Sequence, residues 1–120
     1  MVTMLKKLSC DDMSLTKSEW SAWFSALNDL PCLEELSLSE VNMQVLPATC
    51  GELLQLKRLN MSYNEFTDIA AMRSLVHLNE LDMTCALKHK HNASENLFDV
   101  LAQLTKLKVL NGISKFLQTK

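Results

Sequence analysis

Glycine and proline are scarce in this chain of 120 residues, with two of each, and so few glycines cannot assemble a phosphate-cradling loop of GxxxxGK or GxGxxG form. No GxSxG elbow occurs, and no histidine lies beside a plausible nucleophile, so the parts of an acyl-transfer enzyme are missing. There is no CxxC pair among the four cysteines. No apolar run approaches the roughly 18 residues that cross a bilayer, and Met1-Val2-Thr3-Met4 does not open the long apolar core of an export signal. Twelve Lys plus Arg against fourteen Asp plus Glu leave a net charge of -2, without the basic excess that direct nucleic-acid binding requires. These absences lead to the expectation of a cytoplasmic or nuclear protein with reduced thiols. No membrane contact, small-molecule substrate, cofactor, metal or catalytic residue is expected.

Four short motifs are set aside. His89-Lys90-His91 offers two imidazoles, but no carboxylate or thiol stands at a supporting spacing and the flanking lysines repel a cation, so a solvated loop is expected. Asp11-Asp12 and Glu34-Glu35 are adjacent carboxylates; neighbours on a strand point to opposite faces and cannot share a proton. Asn92-Ala93-Ser94 has the form of a glycosylation sequon, which in a chain without an export signal is expected to be chance.

What is present is a period. In Leu56-Lys57-Arg58-Leu59-Asn60-Met61-Ser62-Tyr63-Asn64-Glu65-Phe66 the large apolar residues fall at places 1, 4, 6 and 11 around an Asn at place 9. Leu5-x-x-Leu8-x-Cys10, Leu33-x-x-Leu36-x-Leu38, Leu78-x-x-Leu81-x-Met83 and Leu107-x-x-Leu110 follow it, starting 28, 23, 22 and 29 residues apart. Apolar places 4 and 6 on one side and polar places 3, 5 and 7 on the other predict a short strand in each unit. A single unit leaves its leucines exposed, so the units must stack and bury them together. Met13, Met43, Met61, Met72 and Met83 fall at or near apolar places and are expected in that core, as is Cys10; Cys32, Cys50 and Cys85 are placed at turns.

The connections differ from unit to unit. Thr16-Lys17-Ser18-Glu19 has the form of a capping box, and Trp20, Trp23, Phe24, Leu27 and Leu30 follow at helical spacing, which predicts a helix of about three turns ended by Pro31, with both tryptophans in the core. Pro47 and Gly51 leave little room for a helix in the second connection. After the polar stretch from Lys88 to His91, Asn92 to Glu95 can cap a further helix whose apolar face holds Leu97, Phe98, Val100, Leu101 and Leu104.

This pattern resembles the leucine-rich repeat, in a mixture of ribonuclease-inhibitor-like, typical and phosphatase-regulator-like lengths, followed by a C-terminal cap at 92–113 similar to that of the U2A′/TAP type. The resemblance implies an α/β solenoid covering the single domain 1–120. Short parallel strands would line its concave face, with helical or irregular return legs behind, in about four repeats plus the cap. It also implies that Asn64 bonds backbone groups inside its bend. Met13, Val41 and Ala86 hold the equivalent place elsewhere, so no continuous asparagine ladder is expected. In the cap, Asn111 stands for the usual Asp and Asn96-Leu97 for the usual Tyr-Arg.

The function implied is a non-catalytic scaffold that binds a protein partner through the concave face. Lys7, Glu35, Ser37, Arg58, Asn60, Glu80 and Asp82 are its candidate residues, with Tyr63 on the adjoining loop. Places 2 and 3 alternate in sign from unit to unit, so neighbouring strands can neutralise each other. Two other readings are a subunit of an RNA-processing or mRNA-export particle, from the cap resemblance, and a regulatory or adaptor subunit of a phosphatase or ubiquitin ligase. The first strand is also a candidate edge for pairing with another chain.

Overall fold

A computed structural model describes the backbone of residues 4–87 and 90–112, and the side chains of those residues except 90–96. The side chains of His89, Lys90 and His91, those of the Asn92-Ala93-Ser94 triplet, and Ile113 at the seventh place lie outside the described residues.

Each Leu-x-x-Leu segment becomes a short strand: β1 Lys7–Ser9, β2 Glu35–Ser37, β3 Arg58–Asn60, β4 Glu80–Asp82 and β5 Val109–Asn111. They form one parallel sheet in chain order. The register repeats the sequence alignment, with Lys7, Glu35, Arg58, Glu80 and Val109 in one row and Ser9, Ser37, Asn60, Asp82 and Asn111 in another. Between these rows Leu36, Leu59 and Leu81 point into the core and are buried, each contributing roughly 1.5–3 kcal/mol.

The return legs are built differently but finish alike. Helix α1, Lys17–Leu27, opens on Thr16 with both halves of the capping box formed: the Thr16 amide donates to Glu19 Oε1 at 2.8 Å and the Glu19 amide to Thr16 Oγ1 at 3.2 Å. The helix ends at Leu27 with Asn28 as its cap, a turn before Pro31. Trp20, Phe24 and Leu27 are buried, and Trp23 packs edge-on against Trp20 with ring centroids 5.2 Å apart. The Trp20 indole N–H is buried without a partner among the described residues.

The second and third legs are 3-10 segments, Ala48–Glu52 and Ala70–Ser74. Their apolar residues explain why. Cys50, Leu53 and Leu56, and Ile69, Met72, Leu75 and Leu78, recur at every third position, and a helix with three residues per turn puts all of them on one face. The amides of Cys50, Leu53 and Leu56, and of Met72, Leu75 and Leu78, each donate to the carbonyl three residues earlier, as in Met72 to Ile69 at 3.0 Å and Leu75 to Met72 at 2.9 Å. The same step closes all four legs: the amides of Leu33, Leu56, Leu78 and Leu107 donate to Leu30, Leu53, Leu75 and Leu104 at 3.1 to 3.2 Å. Cys50, expected at an open turn, is therefore fully buried on the inner face of its segment.

Helix α2, Lys90–Gln103, starts earlier than the Asn92 cap position, so Lys90 and His91 belong to the helix backbone and not to a loop. Leu97, Val100 and Leu104 are buried and Leu101 half-buried, but Phe98 is 39% exposed, since it stands about 100° round the helix from Leu97. The return legs pack in series, α1 on Ala48–Glu52, that on Ala70–Ser74, and that on α2, where Arg73 pairs with Asp99. Met43, Met61, Met72 and Met83 are core residues as expected; Met13, after the first strand, is 36% exposed.

Candidate functional site

Polar rows at places 3 and 5 stand on the concave side of the sheet because the leucines between them are drawn into the core. Lys7, Glu35, Ser37, Arg58, Asn60, Glu80 and Asp82 line one groove of about 440 Å³, together with Ser9, Val109 and Asn111 and the strand backbone. Seven of the eight expected site residues are therefore brought together.

Their charges are arranged in a chain. Lys7 Nζ lies 3.8 Å from Glu35 Oε2, Arg58 NH1 3.7 Å from the same oxygen, and Arg58 Nε donates to Glu80 Oε2 at 2.9 Å. At the rim Lys57 reaches Glu34 at 3.5 Å. The hydrogen bond that Arg58 donates to Glu80, and then the charge of Glu35, hold the Arg58 guanidinium above its ordinary value, so it stays charged at any working pH. All these side chains remain partly solvated, and exposed pairs of this kind exchange readily for others.

At places 5 and 7 the bonds are neutral or charge-assisted. Ser37 Oγ donates to Asp11 Oδ1 at 2.7 Å while the Ser39 amide donates to the same oxygen at 2.8 Å. Asn60 Nδ2 donates to Ser37 Oγ at 3.3 Å, and the Asp82 carboxylate accepts from the Thr84 amide and hydroxyl at 3.0 and 2.6 Å. These bonds fix the side chains before any partner arrives, which lowers the ordering cost of docking. Ser62, at place 7, is an exception to the expected face: it is buried, with its Oγ donating to Ser39 Oγ at 3.1 Å.

Tyr63 does not join the groove. It is 56% exposed at place 8, on the rim beyond the strand ends, in a separate hollow with Glu40, Asn42, Glu65 and Cys85. Its backbone is left-handed, φ 58°, as are Asp12, Glu40 and Cys85 at the same place of the other units, with φ 66°, 57° and 51°. Place 8 is thus the corner where the chain turns back after each of β1 to β4. No glycine marks it in the sequence, and that is why the corner was not legible there. Val109, apolar and 41% exposed among the polar rows, lines the groove with Ser9 and Asn111, and the candidate residues omitted all three.

No protein-family model matches the chain, and no curated protein matches it. Solved structures do. A leucine-rich repeat protein of Leptospira interrogans superposes with a TM-score of 0.65 at 23% identity, over 92% of this chain and 26% of that one. An internalin, InlF, of Listeria monocytogenes superposes with a TM-score of 0.56 at 19% identity, over 92% of this chain and 42% of that one. The fold is the leucine-rich repeat fold. This chain spans less than half the length of either structure.

Within that leucine-rich repeat frame, Asn64 does what the resemblance implies: it is buried, and its carboxamide bonds the backbone of two successive bends. Among the described residues no group of three or more His, Cys, Asp and Glu is placed to hold a metal, and no helix is long and apolar enough to cross a membrane. The four cysteine sulfurs are unpaired, with Cys10 and Cys50 buried, Cys32 half-buried and Cys85 exposed. Burial, with a smaller contribution from the Asp11 charge, pushes the Cys10 thiol up to about 12; burial alone does the same to Cys50.

Proposed function

We propose that this chain is a non-catalytic scaffold that holds a protein partner on its concave strand face. The observation that carries the reading is the Glu35–Arg58–Glu80 chain of ion pairs, which spans three strands at the centre of a pre-ordered groove. Its charges satisfy one another in the free protein and remain accessible to a partner able to replace one of them. A groove of this size takes a few side chains of a folded surface or an extended segment. Val109 adds an apolar contact at one end, beside the carboxylates of Glu80 and Asp82.

The test exchanges the two central charges. Arg58→Glu combined with Glu80→Arg keeps a mutual pair across β3 and β4 while inverting the pattern that a partner reads. Affinity purification from the native cell, followed by mass spectrometry, should lose the principal partner by tenfold or more with this variant. Leu54→Glu, on the exposed return side, should retain it. Equal recovery by the wild type and the exchanged variant would remove the concave face from the assignment.

A further inference from the structure

The row at place 3 alternates in sign until its last member. Lys7, Glu35, Arg58, Glu80 and Val109 stand in register across the sheet. Glu35 lies between two cations, with Lys7 Nζ at 3.8 Å and Arg58 NH1 at 3.7 Å from the same oxygen. Glu80 has a cation on one side, Arg58, whose Nε donates to Oε2 at 2.9 Å. On its other side the alternation calls for a third cation, and the chain has Val109.

Negative charge is therefore left over at this end of the groove. Asp82 stands on the same face as Glu80, two residues on and roughly 6.6 Å along the strand. The bonds it accepts from the Thr84 amide and hydroxyl, at 3.0 and 2.6 Å, both fall on Oδ1. Among the described residues nothing donates to Glu80 Oε1 or Asp82 Oδ2. The groove as a whole holds two cations against three carboxylates.

Beside these two oxygens the ground is apolar. Val109 is 41% exposed and lines the groove next to Glu80, Asp82 and Asn111. A side chain with an aliphatic stem and a cationic head suits both features, with the stem laid on the valine and the head turned to the carboxylates. Arginine suits them better than lysine, because its planar fork of donors can serve two carboxylates at once. Arg58 already does so in the same row, with NH1 towards Glu35 and Nε on Glu80.

We propose that the β4–β5 end of the groove is an arginine subsite. An arginine of the protein partner lays its stem on Val109 and sets its guanidinium between Glu80 Oε1 and Asp82 Oδ2, supplying the cation at which the row breaks off. The inference rests on the concave-face reading and names the chemistry of the partner at one point of that face.

Nuclear magnetic resonance of the full chain tests it, following the backbone amides at positions 80, 82 and 109. The probe is N-acetyl-arginine methylamide, and its control is the citrulline analogue, which keeps the shape without the charge. Saturable shifts are expected with the arginine probe, weaker at high salt, and an affinity about tenfold lower for citrulline. Glu80→Gln with Asp82→Asn should bring the arginine affinity down to the citrulline level. Val109→Lys supplies the cation from within the chain, at the place that Lys7 and Arg58 hold in their own units, and should suppress the response while the spectrum reports the fold. Lys108→Gln with Lys115→Gln and Lys120→Gln should bind the probe as the wild type does. A clear gain in that variant would give the place to a lysine of this chain and overturn the proposal. So would equal responses to the two probes, or none to either. Partner recovery with the exchanged Arg58 and Glu80 tests the concave-face reading separately, and a failure of the arginine probe leaves that reading standing.

Discussion

Asn64 Nδ2 donates to the carbonyl of Leu38 at 2.8 Å, reaching from the third bend of the solenoid into the second. The same group donates to Met61 and Ser62, while Oδ1 accepts from the amides of Val41 and Met43 at 3.0 and 3.4 Å. One buried side chain therefore closes two turns at once. Asn64→Ala leaves these backbone groups without partners and should cost about 3 kcal/mol, since each unsatisfied buried polar group is expensive. Urea unfolding measures it. Thr67→Ala, which removes one exposed bond to Gln44 at 3.3 Å, should cost less than about 1 kcal/mol in the same assay.

Gly112 follows β5 with φ +86°, and a Cβ built there would lie 2.4 Å from the Thr84 backbone. Neither the angle nor the space admits a side chain. Gly112→Ala should destabilise by about 2 kcal/mol or more, and amide exchange should speed first at Val109, Leu110 and Asn111, which pair with β4.

At Glu40, Tyr63 and Cys85 the left-handed corner at place 8 is occupied by residue types that disfavour it. Cys85, with φ 51° and an exposed side chain, makes no core contact to lose. Cys85→Asn should raise stability by roughly 0.5–1 kcal/mol, because Asn tolerates that region better than other L-residues. A Tm unchanged or lowered would show that the corner is not strained.

The buried thiols predict a decline in stability at alkaline pH. In the unfolded chain Cys10 and Cys50 ionise near the ordinary value of 9.0, while in the folded protein both are held up to about 12. The unfolded state loses these protons first, so their contribution is complete below pH 9.0 and falls away as the pH rises towards 12. Urea midpoints followed through that range should drop for the wild type and drop less for Cys10→Ala with Cys50→Ala. At neutral pH a thiol reagent should modify Cys85 readily and Cys32 more slowly, and reach the other two after unfolding.

Acid acts at the other end of the scale and on another element. Hydrogen bonds from the Thr16 backbone and then its side chain hold the Glu19 carboxyl below its ordinary value. Its contribution is present above the ordinary carboxylate range and is lost as the pH falls through the depressed value. Helix α1 should therefore loosen in acid, and Glu19→Gln should flatten that part of the stability profile. Thr16→Ala should cost about 1 kcal/mol at neutral pH.

The strands and their register were readable because Leu-x-x-Leu-x-Leu has one physical solution once units are stacked: places 4 and 6 inward, places 3 and 5 outward. The capping box at Thr16 was readable for a local reason, two side chains exchanging bonds within four residues. The groove followed from the same alternation. Tyr63 lies beyond the strand end, at the corner on the adjoining loop, in a hollow apart from the groove. That corner could not be seen, since Asp12, Glu40, Tyr63 and Cys85 share no turn chemistry and the stacked neighbours impose their backbone angle. Phe98 and Met13 were assigned to the core by their spacing, but Leu97 already fills the inward face of α2, and Met13 follows β1, which pairs on one side only among the described residues. The threefold spacing of Ile69, Met72, Leu75 and Leu78 is visible in the chain, yet the same residues suit an α-helix nearly as well, and their i to i+3 bonds decide between the two.

The sign alternation between neighbouring strands has a repeat of two turns, whereas the hook that joins Leu53 to Leu56 and Leu75 to Leu78 has a repeat of one. Copying residues 56–77 once would satisfy the hook and set arginine beside arginine. Copying residues 33–77 satisfies both. Growth of such an array is thus quantised in pairs, and an odd insertion carries an electrostatic scar across the middle of the sheet.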